Sequence, residues 1–208
     1  MSCLNVAVLI SGRINIDTNQ YNNFVKIFGK YNPDIFVSHS KGYSIDYIQK
    51  FTNLYKPISI IENDEIFNIN ITNKRSETNV HNTMCMFQNR FNCLQLLQSI
   101  DKKYDLVISY RCDCRIADNF IPFENLINKN VPGIHIPYHN DYGGINDQFA
   151  FGDMKNMEIY LSVLPNINDL LNNGVVFHPE TLLDRFLQSK KVIVYRFLLN
   201  YELSKNLE

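Results

Sequence analysis

What this sequence lacks narrows its function before any motif is read. It has almost no net charge: 21 acidic residues stand against 20 basic ones, for a formal charge of −1 and a pI near 6.5. No global positive field is therefore available to hold nucleic-acid phosphates or anionic lipid, and no nucleic-acid partner is expected. Long hydrophobic runs are missing too, none approaching the roughly 18 residues of a membrane-spanning helix, so no membrane span is expected. Met1 to Arg13 has neither a basic start nor a signal-like cleavage region, and the expected location is the cytoplasm. Paired cysteines are absent as well. Cys3, Cys85, Cys93, Cys112 and Cys114 form an odd set without a CxxC pair, which fits a reducing compartment better than a disulfide framework. Cys112 and Cys114 also lack the usual zinc-ligand spacing and read simply as the neighbours of Asp113. No GxGxxG follows the first strand, and neither a Walker motif nor a GxSxG elbow occurs, so dinucleotide redox, P-loop hydrolysis and α/β-hydrolase chemistry lose their usual support.

What is present reads as one α/β domain over residues 1–208, long enough at 24.3 kDa to enclose a core without disulfides or structural metal. Leu4 to Ile10 is a nearly continuous apolar strand that breaks at Ser11, Gly12 and Arg13. Tyr21 to Tyr31 carries the helical period and stops at Asn32 and Pro33. A strand over Asp34 to Ser38, a helix over Ile45 to Tyr55 and a β segment over Pro57 to Ile61 complete a β-α-β-α-β start. A polar stretch from Asn68 to Val80 reads as a surface loop. It precedes a helix whose Met84, Phe87, Phe91, Leu94 and Leu97 form a core-facing stripe. Gln88, Asn89 and Arg90 lie off that stripe, and one of them is expected to reach a ligand crevice. Further on come strands at Leu106–Ser109, Gly133–Pro137 and Gln148–Phe151, helices at Met154–Leu164 and Pro179–Gln188, and a strand or helix over Val192–Leu199. The expected architecture is a mostly parallel central sheet flanked by helices.

Three segments carry candidate chemistry. The apolar run Leu106–Ser109 ends in Tyr110, Arg111, Cys112 and Asp113, and charged groups at the carboxyl end of such a strand sit where open α/β sheets bind ligands. In Gly143-Gly144-Ile145-Asn146-Asp147-Gln148, the glycines permit close backbone approach, and Asp147 can accept a hydroxyl's hydrogen bond or its proton; an ordinary turn capped by Asn146 and Asp147 is the alternative. In Phe177-His178-Pro179-Glu180, Glu180 occupies a helix's first turn, where the macrodipole alone favours an acid, and His178 stands just outside it, suited to a divalent ion, a phosphate oxygen or a structural hydrogen bond.

Together VAVLISGR, PDIFVSHS, YDLVISYRCD, GGINDQFAFG and FHPETLL, in this order and over nearly the whole chain, resemble a family of short glycosyltransferase-like proteins of the GT-A fold, found in polysaccharide gene clusters and in large DNA viruses. The resemblance implies a hexosyltransferase-type enzyme that moves a sugar from a nucleotide-sugar donor to a glycan acceptor, in the host cytoplasm if viral. A catalytically inactive nucleotide-sugar-binding module is the alternative. Where GT-A enzymes carry a metal-binding DxD, this chain has Arg111-Cys112-Asp113. The resemblance thus implies a divalent cofactor, Mn2+ or Mg2+, held by Asp113 with His178 assisting, and phosphate or ribose contact by Arg111. It further implies a nucleotide-sugar site that includes Ser11, Gly12, Arg13, Gly144 and Asn146, and a catalytic base that is Asp147 or Glu180.

Overall fold

Alternation along the first strand sets the plan of the molecule. In β1 (Val6–Gly12), Ala7 and Leu9 point to one face, and Val6, Val8 and Ile10 to the other, and all five are buried. A strand buried on both faces must be central, with helices covering each side. The computed structural model describes residues 4–64, 67, 71–117 and 132–203. Cys3 and the first residues of the loop expected at 68–80 lie outside the described residues.

After β1 come α1 (Thr18–Phe28), β2 (Asp34–His39), α2 (Ile45–Tyr55), β3 (Ser59–Glu62), α3 (Val80–Gln98) and β4 (Leu106–Tyr110). The order continues with β5 (Cys114–Ile116), β6 (Ile134–Pro137), β7 (Phe149–Gly152), α4 (Met154–Leu161), α5 (Ile167–Asn172), α6 (Pro179–Ser189), β8 (Val194–Phe197) and β9 (Tyr201–Leu203). Seven strands form one sheet in the order β3-β2-β1-β4-β7-β6-β8. Only β7 runs against the rest, so the sheet is mostly parallel. One face is covered by α3, α4 and α6, and the other by α1 and α2.

Local chemistry explains the helix boundaries. Asp17, Ser44, Asn79 and Asp153 each cap a helix start by accepting a backbone N–H with the side chain. Asn32 and Lys56, both left-handed and both followed by proline, end the first two helical segments. The helix expected to reach Leu164 ends at Leu161, and 164–166 is a single 3-10 turn containing Pro165. The undecided segment near the end is strand β8, which pairs in parallel with β6. Two features have no counterpart in the sequence pattern: helix α5, and the two-stranded antiparallel sheet of β5 and β9. Three-residue strands are too short to display a period.

No helix among the described residues is long and apolar enough to cross a membrane. Phe36 of β2 is fully buried between the sheet and α3, and its ring meets Tyr104 edge-on with centroids 6.2 Å apart. Replacing it with alanine (Phe36→Ala) is expected to lower the unfolding free energy by about 3–5 kcal/mol in urea titration.

Candidate active site

The sheet's strand order creates the site. The chain leaves β1 toward β2 on one side and returns through α3 to β4 on the other, so a topological switch point lies between β1 and β4. Ile10 pairs with Tyr110, and Tyr110 with Phe149. Ser11-Gly12-Arg13, Arg111-Cys112-Asp113 and Asn146-Asp147-Gln148 therefore sit side by side at one sheet edge. Gly12 takes φ +99°, with open space where a Cβ would stand, so glycine is required by the turn and not by crowding. Ser11 is buried, whereas Arg13 reaches the surface.

The turn after β4 is pinned from beneath. Tyr110 donates its hydroxyl to the Cys114 carbonyl at 2.7 Å, and Gln20 Nε2 donates to the same carbonyl at 2.7 Å and to the Tyr110 oxygen at 3.1 Å. Burial pushes the thiols of Cys112 and Cys114 up to about 12, so both stay protonated packing groups. Above them Arg111 and Asp113 form a two-pronged ion pair, Nε to Oδ1 at 3.0 Å and Nη2 to Oδ2 at 2.7 Å. The Arg111 guanidinium is held charged: burial opposes its charge, and Asp113 with Asp147 more than compensates.

Asp147 connects this pair to the interior. Arg90 of α3, 2% exposed, donates through Nη2 to the Asp147 carbonyl and lies 3.6 Å from its carboxylate. The rings of Phe87 and Tyr160 flank the guanidinium, with centroids 5.8 and 5.5 Å away, and Tyr160 donates its hydroxyl to the same carbonyl. Among the described residues, Arg90 Nε and Nη1 find no hydrogen-bond acceptor. Of the three residues the sequence placed off the α3 stripe, Arg90 is the one that reaches the site; Asn89 instead bonds the Ser38 and Ser40 hydroxyls and the Cys85 carbonyl.

Glu180 and His178 lie beyond Asp147. Burial, followed by the Asp147 charge, pushes the Glu180 carboxyl up to about 7. Burial and then Arg75 push His178 down, which leaves the imidazole neutral near pH 7. Their 3.2 Å contact, Nδ1 to Oε2, is thus not a fully charged salt bridge. The loop before Asp147 has a bracing role. Asn146 donates to the His139 carbonyl at 2.8 Å and the Tyr201 hydroxyl at 2.9 Å, and its Oδ1 accepts from Gln148 N. A Cβ at Gly144 would overlap the Glu180 backbone, so glycine there docks the loop onto α6. The loop's strained backbone, with positive φ at His139, Asn140, Tyr142 and Gly143, is tied down by Arg75 to the Tyr142 carbonyl and by Arg196 to Asp141 at 2.6 Å. Alongside it an open cavity of about 630 Å³ is lined by Arg115, His139, Asn140, Asn200, Tyr201 and Glu202, among others.

The described residues do not form a ready divalent-cation site. Both Asp113 oxygens face one guanidinium, His178 faces Glu180 and Thr181, and no group of three His, Cys, Asp or Glu among the described residues is arranged around a metal position. Sequence reasoning passed over Arg75, Tyr160 and Tyr201. Each lies far along the chain from its partner here, in a polar loop, an apolar stripe or the tail, with no local motif to mark it.

Two outcomes follow. Arg90→Met is expected to lower stability by about 3–5 kcal/mol, because it strands the buried Asp147. Adding Asp147→Asn should recover part of that loss in a double-mutant cycle read by urea unfolding. For Glu180, a folded-state value above that of an exposed glutamate means its stabilising contribution is complete in acid and disappears as pH rises through about 7. Glu180→Gln should accordingly gain about 1–2 kcal/mol on the parent protein between pH 5 and pH 8.5, measured by unfolding at each pH.

No protein-family model matches the chain, and no curated protein matches it by sequence. Its fold has solved counterparts. A Desulfovibrio desulfuricans G20 structure described as a nucleotide-diphospho-sugar transferase superposes with TM-score 0.51 at 12% identity, covering 95% of this chain and 80% of that one. A Bacillus anthracis structure described as a glucose-1-phosphate thymidylyltransferase, in complex with a sucrose, gives TM-score 0.52 at 7% identity over 96% and 89%. A glycosyltransferase involved in glycosylation of the major capsid of PBCV-1 matches at 12% identity over 93% and 81%, but its TM-score of 0.48 is too loose to carry weight. The chain thus has the mixed α/β fold, with a mostly parallel sheet flanked by helices, that is found among structures described as nucleotide-sugar transferases.

Proposed function

We propose that this protein is a glycosyltransferase of hexosyltransferase type, moving a sugar from a nucleoside-diphosphate donor to a hydroxyl of a glycan acceptor. The observation that carries this reading is the clustering at one switch point of Arg111 with the carboxyl groups of Asp113, Asp147 and Glu180, next to the Ser11-Gly12-Arg13 turn. Guanidinium groups suit a diphosphate, and a neighbouring carboxylate suits proton removal from an attacking alcohol.

The donor lies in the crevice between β1 and β4, its diphosphate toward Arg13 and Arg111. The acceptor hydroxyl attacks the anomeric carbon, its proton passes to the Asp147 carboxylate, and the nucleoside diphosphate departs with the electron pair of the broken bond. In this reading Asp147, whose charge acts on Arg111 at the site edge, is the base, and Glu180, pushed up to about 7 by burial and the Asp147 charge, stands behind it. The cavity beside Tyr201 gives the acceptor room on the same edge, within the size range of small-ligand sites. A nucleotide-sugar-binding module without turnover is the second reading, favoured by the engagement of Asp113 with Arg111 where two free carboxylates are usual.

The test is release of nucleoside diphosphate from a panel of nucleotide sugars, with and without glycan acceptors. Turnover of one donor is expected, and Asp147→Asn should cut kcat by about 10²–10⁴-fold with little change in donor KM. Binding without turnover would select the module reading. Neither binding nor turnover of any donor would overturn both.

A further inference from the structure

We infer that the positive charge facing the donor diphosphate is supplied by the Arg111 side chain, and that Asp113 orients Arg111 instead of holding a divalent cation. The inference rests on the nucleotide-sugar reading above, and concerns how that same crevice binds its anionic group.

Asp113 gives both carboxylate oxygens to one edge of one guanidinium, at 3.0 and 2.7 Å. This fork uses two of the five N–H donors of Arg111, and the remainder belong to edges that Asp113 does not cover. A cation bound to the same oxygens at roughly 2.0–2.2 Å would stand against the guanidinium, where like charges repel. The next carboxylate along the edge, Asp147, is also directed at arginine. It lies 3.6 Å from Arg90 and supports the charge of Arg111. No three-residue ligand set exists among the described residues.

The guanidinium is also fixed in advance. Its backbone belongs to the turn pinned by Tyr110 and Gln20 beneath the Cys114 carbonyl, and its side chain is clamped by Asp113. A planar fork held in this way matches the oxygens of a diphosphate and is in place to stabilise the charge that develops on the departing group.

Calorimetric titration of the whole chain with UDP, GDP, CDP, ADP and dTDP tests this, first in EDTA and then with manganese or magnesium. At least one nucleoside diphosphate should bind in EDTA, with affinity altered less than about threefold by either metal. Arg111→Ala should weaken that binding about tenfold or more, the loss of a charged hydrogen-bonded contact. Arg111→Lys should restore only part of it, because lysine lacks the fork. Asp113→Asn, which keeps the shape of the side chain, should cost less than Arg111→Ala; thermal melts of the two conservative variants establish that they fold. Tightening by tenfold or more with manganese, abolished in Asp113→Asn, would overturn the inference and leave the transferase reading intact. Failure of every nucleoside diphosphate to bind in both buffers would overturn the transferase reading, and the inference with it.

Discussion

A guanidinium with almost no access to water lies at the centre of this protein, and the position of the candidate site follows from its need for a partner. Arg90 projects from α3 between the rings of Phe87 and Tyr160. A buried charge is tolerated only when an opposite charge and good acceptors meet it. Asp147 provides a carbonyl oxygen and a carboxylate together, so the loop that carries it is drawn onto the helix. Loop position sets the rest: Asn146 and Gly144 brace that loop against Tyr201 and α6, and Glu180, buried and then brought near Asp147, gives up part of its acidity.

The turn after β4 has a different kind of rigidity. Neutral hydrogen bonds from Tyr110 and Gln20, together with two thiols too deeply buried to ionise, form a floor that presents Arg111 and Asp113 to the crevice. Within this turn the Arg111–Asp113 pair lies above, and neutral groups below. Because Arg111 and Asp147 interact, the Arg111–Asp113 pair and the deeper Arg90–Asp147 pair form one electrostatic unit. A change at either end is felt at the other.

This coupling also gives the two candidate carboxyls different characters without any difference in their chemistry. Glu180 is half-neutral near physiological pH because it is buried and faces a negative neighbour, whereas Asp147 lies between two guanidinium groups. Environment, and not residue type, is what moves the Glu180 carboxyl.

Sequence alone determined the β-α-β-α-β start and its buried strands, because a strand buried on both faces, such as Val6–Gly12 or Leu106–Tyr110, writes its burial into a continuous apolar run. It also marked the ends of those strands, since polar residues bound the runs at Ser11, Arg111 and Asn146. Helix limits were legible wherever a cap or a proline stands in the chain, as at Asn32-Pro33 and Lys56-Pro57. Tertiary structure alone decided which of Gln88, Asn89 and Arg90 meets Asp147, because the choice depends on the face α3 turns to the sheet. It alone showed that Asp113 is clasped by Arg111, that Asn146 and Gly144 serve the loop, and that β5 finds its partner in β9 from the far end of the chain. Those facts depend on contacts between residues distant in sequence, and local pattern carries no record of them.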